Sequence, residues 1–109
     1  MRGGRVYMLG YRVATPAKRD FVEILDHLLN EAGPRVALDL EIELHKAFRL
    51  LAAYPGLGHL RQDLTPKAAR FYLVGHYLLV YRNESGTIVI FAILHSSRNI
   101  KSVLSKRSF

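Results

Sequence analysis

Two helical patterns followed by three strand patterns account for most of this chain of 109 residues. Apolar residues recur three and four positions apart in two segments, which predicts amphipathic helices over residues 16–31 and 34–53. The apolar face of the first helix consists of Phe21, Ile24, Leu25, Leu28 and Leu29. Gly33-Pro34 ends this helix and starts the next, and a joint this short favours an antiparallel helical hairpin.

A short strand is predicted before the helices. Residues 6–14 read VYMLGYRVA, and bulky apolar residues alternate with other types from Tyr11 to Ala14. Such alternation predicts a strand with one buried face. Thr15 is the predicted N-cap of the first helix and Pro16 its first helical residue, because both residue types are favoured at those positions.

Three further strands follow the second helix. Pro55, Gly56 and Gly58 open a loop that extends to Pro66. The predicted strands cover residues 69–74, 77–82 and 87–94. The last of them is almost entirely apolar, as expected for a central strand that is buried on both faces.

Short connections join these strands. Gly75-His76 predicts a tight turn, and residues 83–86 predict a hairpin loop in which Gly86 can adopt a positive φ. A short terminal helix, laid back on the sheet, is indicated by the spacing of Ile100, Val103 and Leu104.

The order of these elements is β-αα-βββ-α. It predicts one α+β domain over residues 1–109, in which an antiparallel helical hairpin packs on one face of a small, twisted, mainly antiparallel sheet. Residues 1–9 are interpreted as an extension of the first strand. A chain of this length can bury roughly 65% of its unfolded surface, which is enough for one core.

Composition excludes several classes of protein. The chain has no cysteine, which excludes disulfides and thiolate zinc sites and gives no sign of an oxidising compartment. No apolar run approaches the roughly 20 residues of a membrane span, and no signal-peptide pattern is present. Five scattered histidines lack the spacing of a metal site. We therefore expect a cytoplasmic protein without a membrane partner, metal or other cofactor.

The net charge points to a class of partner. Sixteen Lys and Arg residues against nine Asp and Glu residues give a formal charge of +7. After Asp63 the only acidic residue is Glu84, so the sheet and the tail form the positive part. A field of this sign favours nucleic acid or an acidic protein.

One arrangement of late residues would support ribonuclease chemistry. If Arg82 and His95 face the same side of the sheet, with Arg98 just beyond, the three side chains would line a cationic concavity. His95 would then act as general acid or base while the arginines hold phosphate oxygens. The alternative is that Arg82 and His95 serve only as local structural contacts.

The late strands also offer a binding surface. In a two-layer protein this small, one sheet face and the groove beside the helices remain open to an added apolar segment. Tyr72, Leu78 and Val80, with Arg82 beside them, would present such a surface, unless they belong to the core.

Several short motifs together resemble the RelE/ParE superfamily of toxins over residues 10–105. The first half of the chain contributes the Tyr11-Arg12-Val13 strand, the Ala17-x-x-Asp20 helix start and the Tyr54-Pro55-Gly56-Leu57-Gly58 joint. The second half contributes Arg61-x-Asp63-Leu64, the strand from Tyr77 to Arg82 and Ile93-Leu94-His95-x-x-Arg98-Asn99. The exit from Leu94 to Asn99, followed by the predicted terminal helix, is similar to the ParE branch.

The resemblance implies the toxin of a type II toxin–antitoxin pair, of the kind that stabilises plasmids. A cognate antitoxin would neutralise it in a hetero-oligomer, through Tyr72, Leu78, Val80 and Arg82. The ParE branch has no catalytic residues and poisons DNA gyrase by binding, here through Arg98, Lys101, Lys106 and Arg107. The RelE branch implies instead a metal-independent endoribonuclease that cuts mRNA on the ribosome with His95, Arg82 and Arg98. A module that only binds its antitoxin is a third reading.

Overall fold

The computed structural model describes residues 10–109 and has the α+β architecture that the sequence predicts. The helices are α1 (Thr15–Ala32), α2 (Pro34–Ala53) and α3 (Ile100–Ser105), and a single 3-10 turn covers Pro55–Leu57. The strands are β1 (Tyr11–Val13), β2 (His59–Leu60), β3 (Arg70–Val74), β4 (Tyr77–Glu84) and β5 (Thr87–His95). Residues 6–9 of the predicted first strand lie outside the described residues.

The five strands form one sheet in the order β1-β5-β4-β3-β2. Strand β1 runs parallel to β5, and the other neighbours are antiparallel. Strand β5 lies between β1 and β4 and is buried on both faces, which confirms the interpretation of its apolar run. Strand β2 was not predicted, because its two residues are both exposed and carry no alternation.

Helices cover both faces of the sheet: the hairpin packs on one face, as predicted, and α3 covers the face that the sequence analysis left open. The α1–α2 hairpin packs on the face that holds Leu79 and Ile93. Helix α3 packs on the opposite face, which holds Val80 and Leu94. Since neighbouring residues of a strand point to opposite faces, each strand supplies two separate cores.

Two predicted boundaries were wrong, and both were moved by strand pairing. Ala14, not Thr15, is the N-cap position of α1, because its N–H still bonds the carbonyl of Ile90 (2.9 Å) as the β1–β5 ladder ends. The β4–β5 ladder likewise continues to the pair Glu84–Thr87. Only Ser85 and Gly86 are left to form the turn, and both have positive φ (55° and 89°).

Tyr81 fastens the end of α2 to the sheet. Its fully buried ring lies in the core under the hairpin. Its hydroxyl donates to the carbonyl of Pro55 (2.7 Å) and accepts from the N–H of Gly58 (2.8 Å), and Arg70 donates to the carbonyl of Gly58 (2.8 Å). Burial raises the pKa of Tyr81, which keeps the hydroxyl protonated as a donor. A Cβ at Gly58 would lie 2.6 Å from the Tyr81 hydroxyl oxygen and 2.9 Å from the carbonyl oxygen of Phe71.

Asp20 and Arg107 close the edge of β5 beyond its pairing with β1. Arg107 makes two contacts to the buried Asp20 carboxylate (2.6 and 2.7 Å) and a third to the carbonyl of Phe91 (3.3 Å). The same carboxylate accepts the N–H of Ile93 (2.9 Å). The hydrogen bond that Arg107 donates to Asp20 is the main cause that raises the pKa of Arg107. Side chains from α1 and the tail therefore satisfy backbone groups that a neighbouring strand would otherwise bond.

We expect Gly58→Ala to lower the free energy of unfolding by about 1–3 kcal/mol, because the methyl group would displace the Tyr81 hydroxyl and backbone oxygens. Gly56→Ala is the matched control two residues away, since a Cβ there meets nothing within 4 Å. Urea denaturation of both variants measures the difference. Equal midpoints would show that the close approach at Gly58 is not a constraint.

We expect Arg107→Met to cost about 3 kcal/mol, because breaking a buried pair leaves the Asp20 carboxylate uncompensated. This value is at the low end of the usual range for breaking a buried ion pair, because the Arg107 side chain is 20% exposed. Lys106→Met, at the exposed neighbouring residue, should change stability by less than about 0.5 kcal/mol. Thermal denaturation of the two variants compares them, and coincident melting curves would contradict the role given to Arg107.

Candidate functional site

The exposed cations of the C-terminal region lie around α3. Strand β5 ends at His95, a turn follows, and the side chain of Asn99 accepts the N–H of Ser102 (3.1 Å) at the start of the helix. Ile100 and Leu104 are buried against the sheet. This packing leaves the solvent side of the region to Arg98, Lys101 and Lys106.

The predicted target-binding set is thus reduced by one residue. Arg98, Lys101 and Lys106 are exposed, whereas the guanidinium of Arg107 is held by Asp20 and faces the protein. The reason is that the tail after α3 folds back on the sheet edge. Arg107 is therefore not available as a solvent-facing cation.

Arg82 is already occupied by contacts within the protein. It donates to the carboxylate of Glu84 through Nε (3.2 Å) and Nη2 (2.7 Å), and its guanidinium carbon lies 5.0 Å from the ring centre of Phe91. Phe91 in turn stacks on Phe109 at 5.0 Å. These partners place Arg82 on the α3 face of the sheet and balance its charge locally.

His95 lies on the other face, so the cationic concavity with Arg82 and Arg98 is not formed. Ile93 lies in the core under the hairpin, and His95, two residues farther along β5, is on the same face. His95 pairs with Tyr77 at one end of the β4–β5 ladder, whereas Arg82 pairs with Val89 toward the other end. The two side chains are therefore separated by the sheet and by the length of the β4–β5 ladder. The condition for a joint acid–base and phosphate site fails on geometry.

His95 instead belongs to an aromatic cluster at the rim of a cleft. Its ring stacks on His76 (5.8 Å between centroids) and meets Tyr77 edge-on (5.2 Å). Its Nδ1 accepts the N–H of Ser97 (3.1 Å), so a neutral ring carries its proton on Nε2. Burial raises the pKa of Tyr77. The cleft, of about 520 Å³, runs between these residues and the closed end of the hairpin, where Leu28 and Leu40 flank the Gly33 connection.

The predicted antitoxin-binding residues do not form one open surface, which corrects that expectation. Tyr72 faces the hairpin side, whereas Leu78, Val80 and Arg82 face α3. Val80 is fully buried there, because α3 packs on the face that the sequence left open. The apolar side chains exposed along this part of the sheet are different ones, notably Leu60 (52%) and Leu73 (57%).

The described part of the chain offers no metal site and no membrane span. Among residues 10–109, no three His, Asp or Glu side chains are grouped so as to hold a metal ion. No helix in the same range has the length and apolarity to cross a membrane.

Three residues have structural roles that sequence reasoning did not predict. Asp20 lies on the apolar face of α1, between Ala17 and Ile24, and a charged residue at a core position was the signal for a buried partner. No local pattern in the sequence indicated that Arg107 is the partner, because the two residues are 87 positions apart. Tyr81 was assigned to a strand, but its bonds to the Pro55–Gly58 loop depend on tertiary contact.

Comparisons with known proteins agree with this architecture. Residues 11–100 match the family model described as the ParE toxin of the type II toxin–antitoxin system parDE. Toxin ParE3 of Caulobacter vibrioides is 28% identical over 93 residues, which cover 85% of this chain and 92% of the relative.

A solved structure has the same fold. A chain from the chromosomal ParDE toxin–antitoxin system of P. aeruginosa superposes with a TM-score of 0.68 at 21% identity, covering 82% of this chain and 97% of that one. The match of the family model to most of the chain, on this fold, decides the assignment: the chain belongs to the ParE family of type II toxin–antitoxin toxins.

Proposed function

We propose that this protein inhibits DNA gyrase by binding to it and that a cognate antitoxin holds it inactive in a hetero-oligomer in the cytoplasm. The observation that carries the proposal is the separation of Arg82 and His95 by the sheet. Membership of the ParE family supports the same conclusion.

The separation argues against ribonuclease chemistry. A general acid or base must come within about 2.6–3.2 Å of the proton it transfers, while cations hold the same phosphate. On this scaffold His95 and Arg82 cannot reach one phosphate group from opposite faces. Arg82 is also engaged by Glu84, so a substrate would first have to displace a carboxylate.

Binding through exposed cations does not require an acid or base and cations to surround one phosphate group. Arg98, Lys101 and Lys106 project from a region that two buried residues of α3 anchor to the sheet. Charged side chains on a fixed support suit an acidic protein surface or a DNA backbone, and both occur in a gyrase–DNA complex. The hydrogen bond from Arg61 is the main cause that lowers the pKa of Asp63, and the charge of Lys101 adds to it.

The antitoxin contact is better placed at the outer edge of β3 than on the α3 face. Strand β3 pairs with β2 through Arg70 and Phe71, and Leu73 is exposed farther along the strand. Leu60 of β2, which pairs with Arg70, is exposed as well. A strand edge with exposed apolar side chains is suited to an added strand of a partner.

The first experiment measures gyrase supercoiling, with a translation-coupled mRNA cleavage assay run alongside. We expect loss of supercoiling with trapped cleaved DNA, intact mRNA, and reversal by the cognate antitoxin. His95→Ala should keep gyrase inhibition within about threefold, whereas loss of an acid or base would cost at least about a hundredfold in cleavage. Cut mRNA with unaffected gyrase would overturn the proposal.

A second experiment tests the cations. The double variant Arg98→Glu with Lys101→Glu should weaken gyrase inhibition by at least about tenfold, since two attractive contacts become repulsive. Arg35→Glu is the control, because it reverses an exposed charge at the start of α2, away from α3. Circular dichroism confirms that both variants fold. Equal inhibition by the two variants would remove α3 from the target surface.

A further inference from the structure

The cleft beside His76 and His95 has a lining that suits one kind of ligand. It lies between the closed end of the hairpin and the turn from β3 to β4, and its volume of about 520 Å³ is typical of a ligand-binding cleft. Its walls include the half-buried side chains of Leu28, Leu40 and Val74. Walls of this kind favour a ligand that has an apolar part.

The charges along the cleft are of one sign. Asp39 and Glu43 line it and lie four residues apart on α2, so they share one face of that helix. Among the described residues that line the cleft there is no Lys or Arg, although the whole chain has a formal charge of +7. Arg35, one turn before Asp39, lies outside the lining. The cleft therefore attracts a cation and disfavours an anion.

Neither carboxylate is neutralised by a close partner. Glu43 lies 3.7 Å from the Nζ of Lys46, and both of these side chains are more than half exposed. An exposed pair at this distance contributes little, so Glu43 remains open to a better-placed cation. Asp39 makes no ion pair within the described part of the chain.

The sheet side of the cleft consists of aromatic rings. His76 and His95 stack with an angle of 13° between their planes, and Tyr77 meets His95 edge-on. The Nδ1 of His95 accepts the N–H of Ser97 (3.1 Å), which is the geometry of a neutral ring. Ring faces of this kind attract a planar cation.

We propose that this cleft receives an arginine side chain from a partner protein, with an apolar residue next to the arginine in the partner's sequence. The planar guanidinium stacks on the rings of His76 and Tyr77. Its N–H groups donate to the carboxylates of Asp39 and Glu43. The methylene stem packs on the apolar walls. A lysine ammonium is a more strongly hydrated point charge and cannot stack in this way, so arginine fits the lining better.

Exposure at the mouth of the cleft favours a side chain on a partner over a free small cation. Val36 lines the cleft and is 44% exposed, so an apolar neighbour of the arginine would bury it. Asp39 and Glu43 are exposed as well, so water screens their attraction and a free cation would bind weakly. A partner chain adds contacts that a free cation lacks.

Nuclear magnetic resonance titration of the isotope-labelled full chain tests the site without gyrase or antitoxin, so its result is independent of the proposed function. The probe is the peptide acetyl-Leu-Arg-Leu-amide. The control peptide has citrulline in place of arginine, which keeps the shape and removes the charge. We expect the probe to shift the amide signals of Gly75, His76 and His95, and the control to bind at least about fivefold more weakly.

Two double variants identify the carboxylates responsible. Asp39→Asn with Glu43→Gln should weaken binding of the probe at least about fivefold, since both side chains keep their shape and lose their charge. Asp26→Asn with Glu31→Gln is the matched control, because it removes two exposed charges of α1 that lie outside the cleft. It should change binding by less than about twofold. The amide spectrum of each variant shows that it remains folded.

A further pair of variants measures the contribution of the rings. His76→Ala should weaken binding of the probe about threefold, because the guanidinium loses one stacking surface. His59→Ala is the control, since it removes an exposed histidine of β2 that lies outside the cleft. It should leave binding unchanged.

Four results would overturn the proposal. The first is a probe that leaves the amide signals of the cleft unshifted, and the second is equal binding of the citrulline peptide. The third is an Asp26→Asn and Glu31→Gln variant that loses as much affinity as the cleft variant, which would show attraction by the overall charge alone. The fourth is agmatine, a free guanidinium on a similar stem, binding as tightly as the peptide, which would assign the cleft to a small cation.

Discussion

The contact between Asp20 and Arg107 joins three parts of the chain that the rest of the structure depends on. It connects the first helix, the tail after α3 and the outer edge of β5. Strand β1 is three residues long. Beyond it, the side chains of Asp20 and Arg107 make the hydrogen bonds to this edge of β5. Because the tail is fixed in this way, α3 stays on its face of the sheet. The exposed cations of α3 therefore have a defined position, although Arg107 itself is removed from the solvent side.

The sheet divides the molecule into two chemical environments. On one face the hairpin covers an apolar core and leaves the cleft beside His76 and His95. On the other face α3 covers a second core, with Arg82 between Glu84 and Phe91 at its margin. Residues that are close in sequence are thus placed in different surroundings. A scaffold arranged in this way does not bring Arg82 and His95 together around one group.

The distribution of charge follows the same division. The region around α3 is basic, whereas the hairpin carries exposed charges of both signs. The first arrangement suits attraction of a large acidic target.

The sequence alone determined the elements and their order. Helical spacing, the Gly33-Pro34 joint and the apolar run of β5 indicated the hairpin, the three late strands and the terminal helix, because each signal is local and repeats with the period of its structure. It also determined the net charge and the resemblance to a toxin superfamily. Tertiary structure decided the face on which each residue lies. Arg82 and His95 are separated because β4–β5 pairing sets them on opposite faces, and Val80 is buried because α3 returns over it. The partnership of Asp20 with Arg107 likewise exists only after the chain has folded, since local spacing says nothing about a contact 87 residues away.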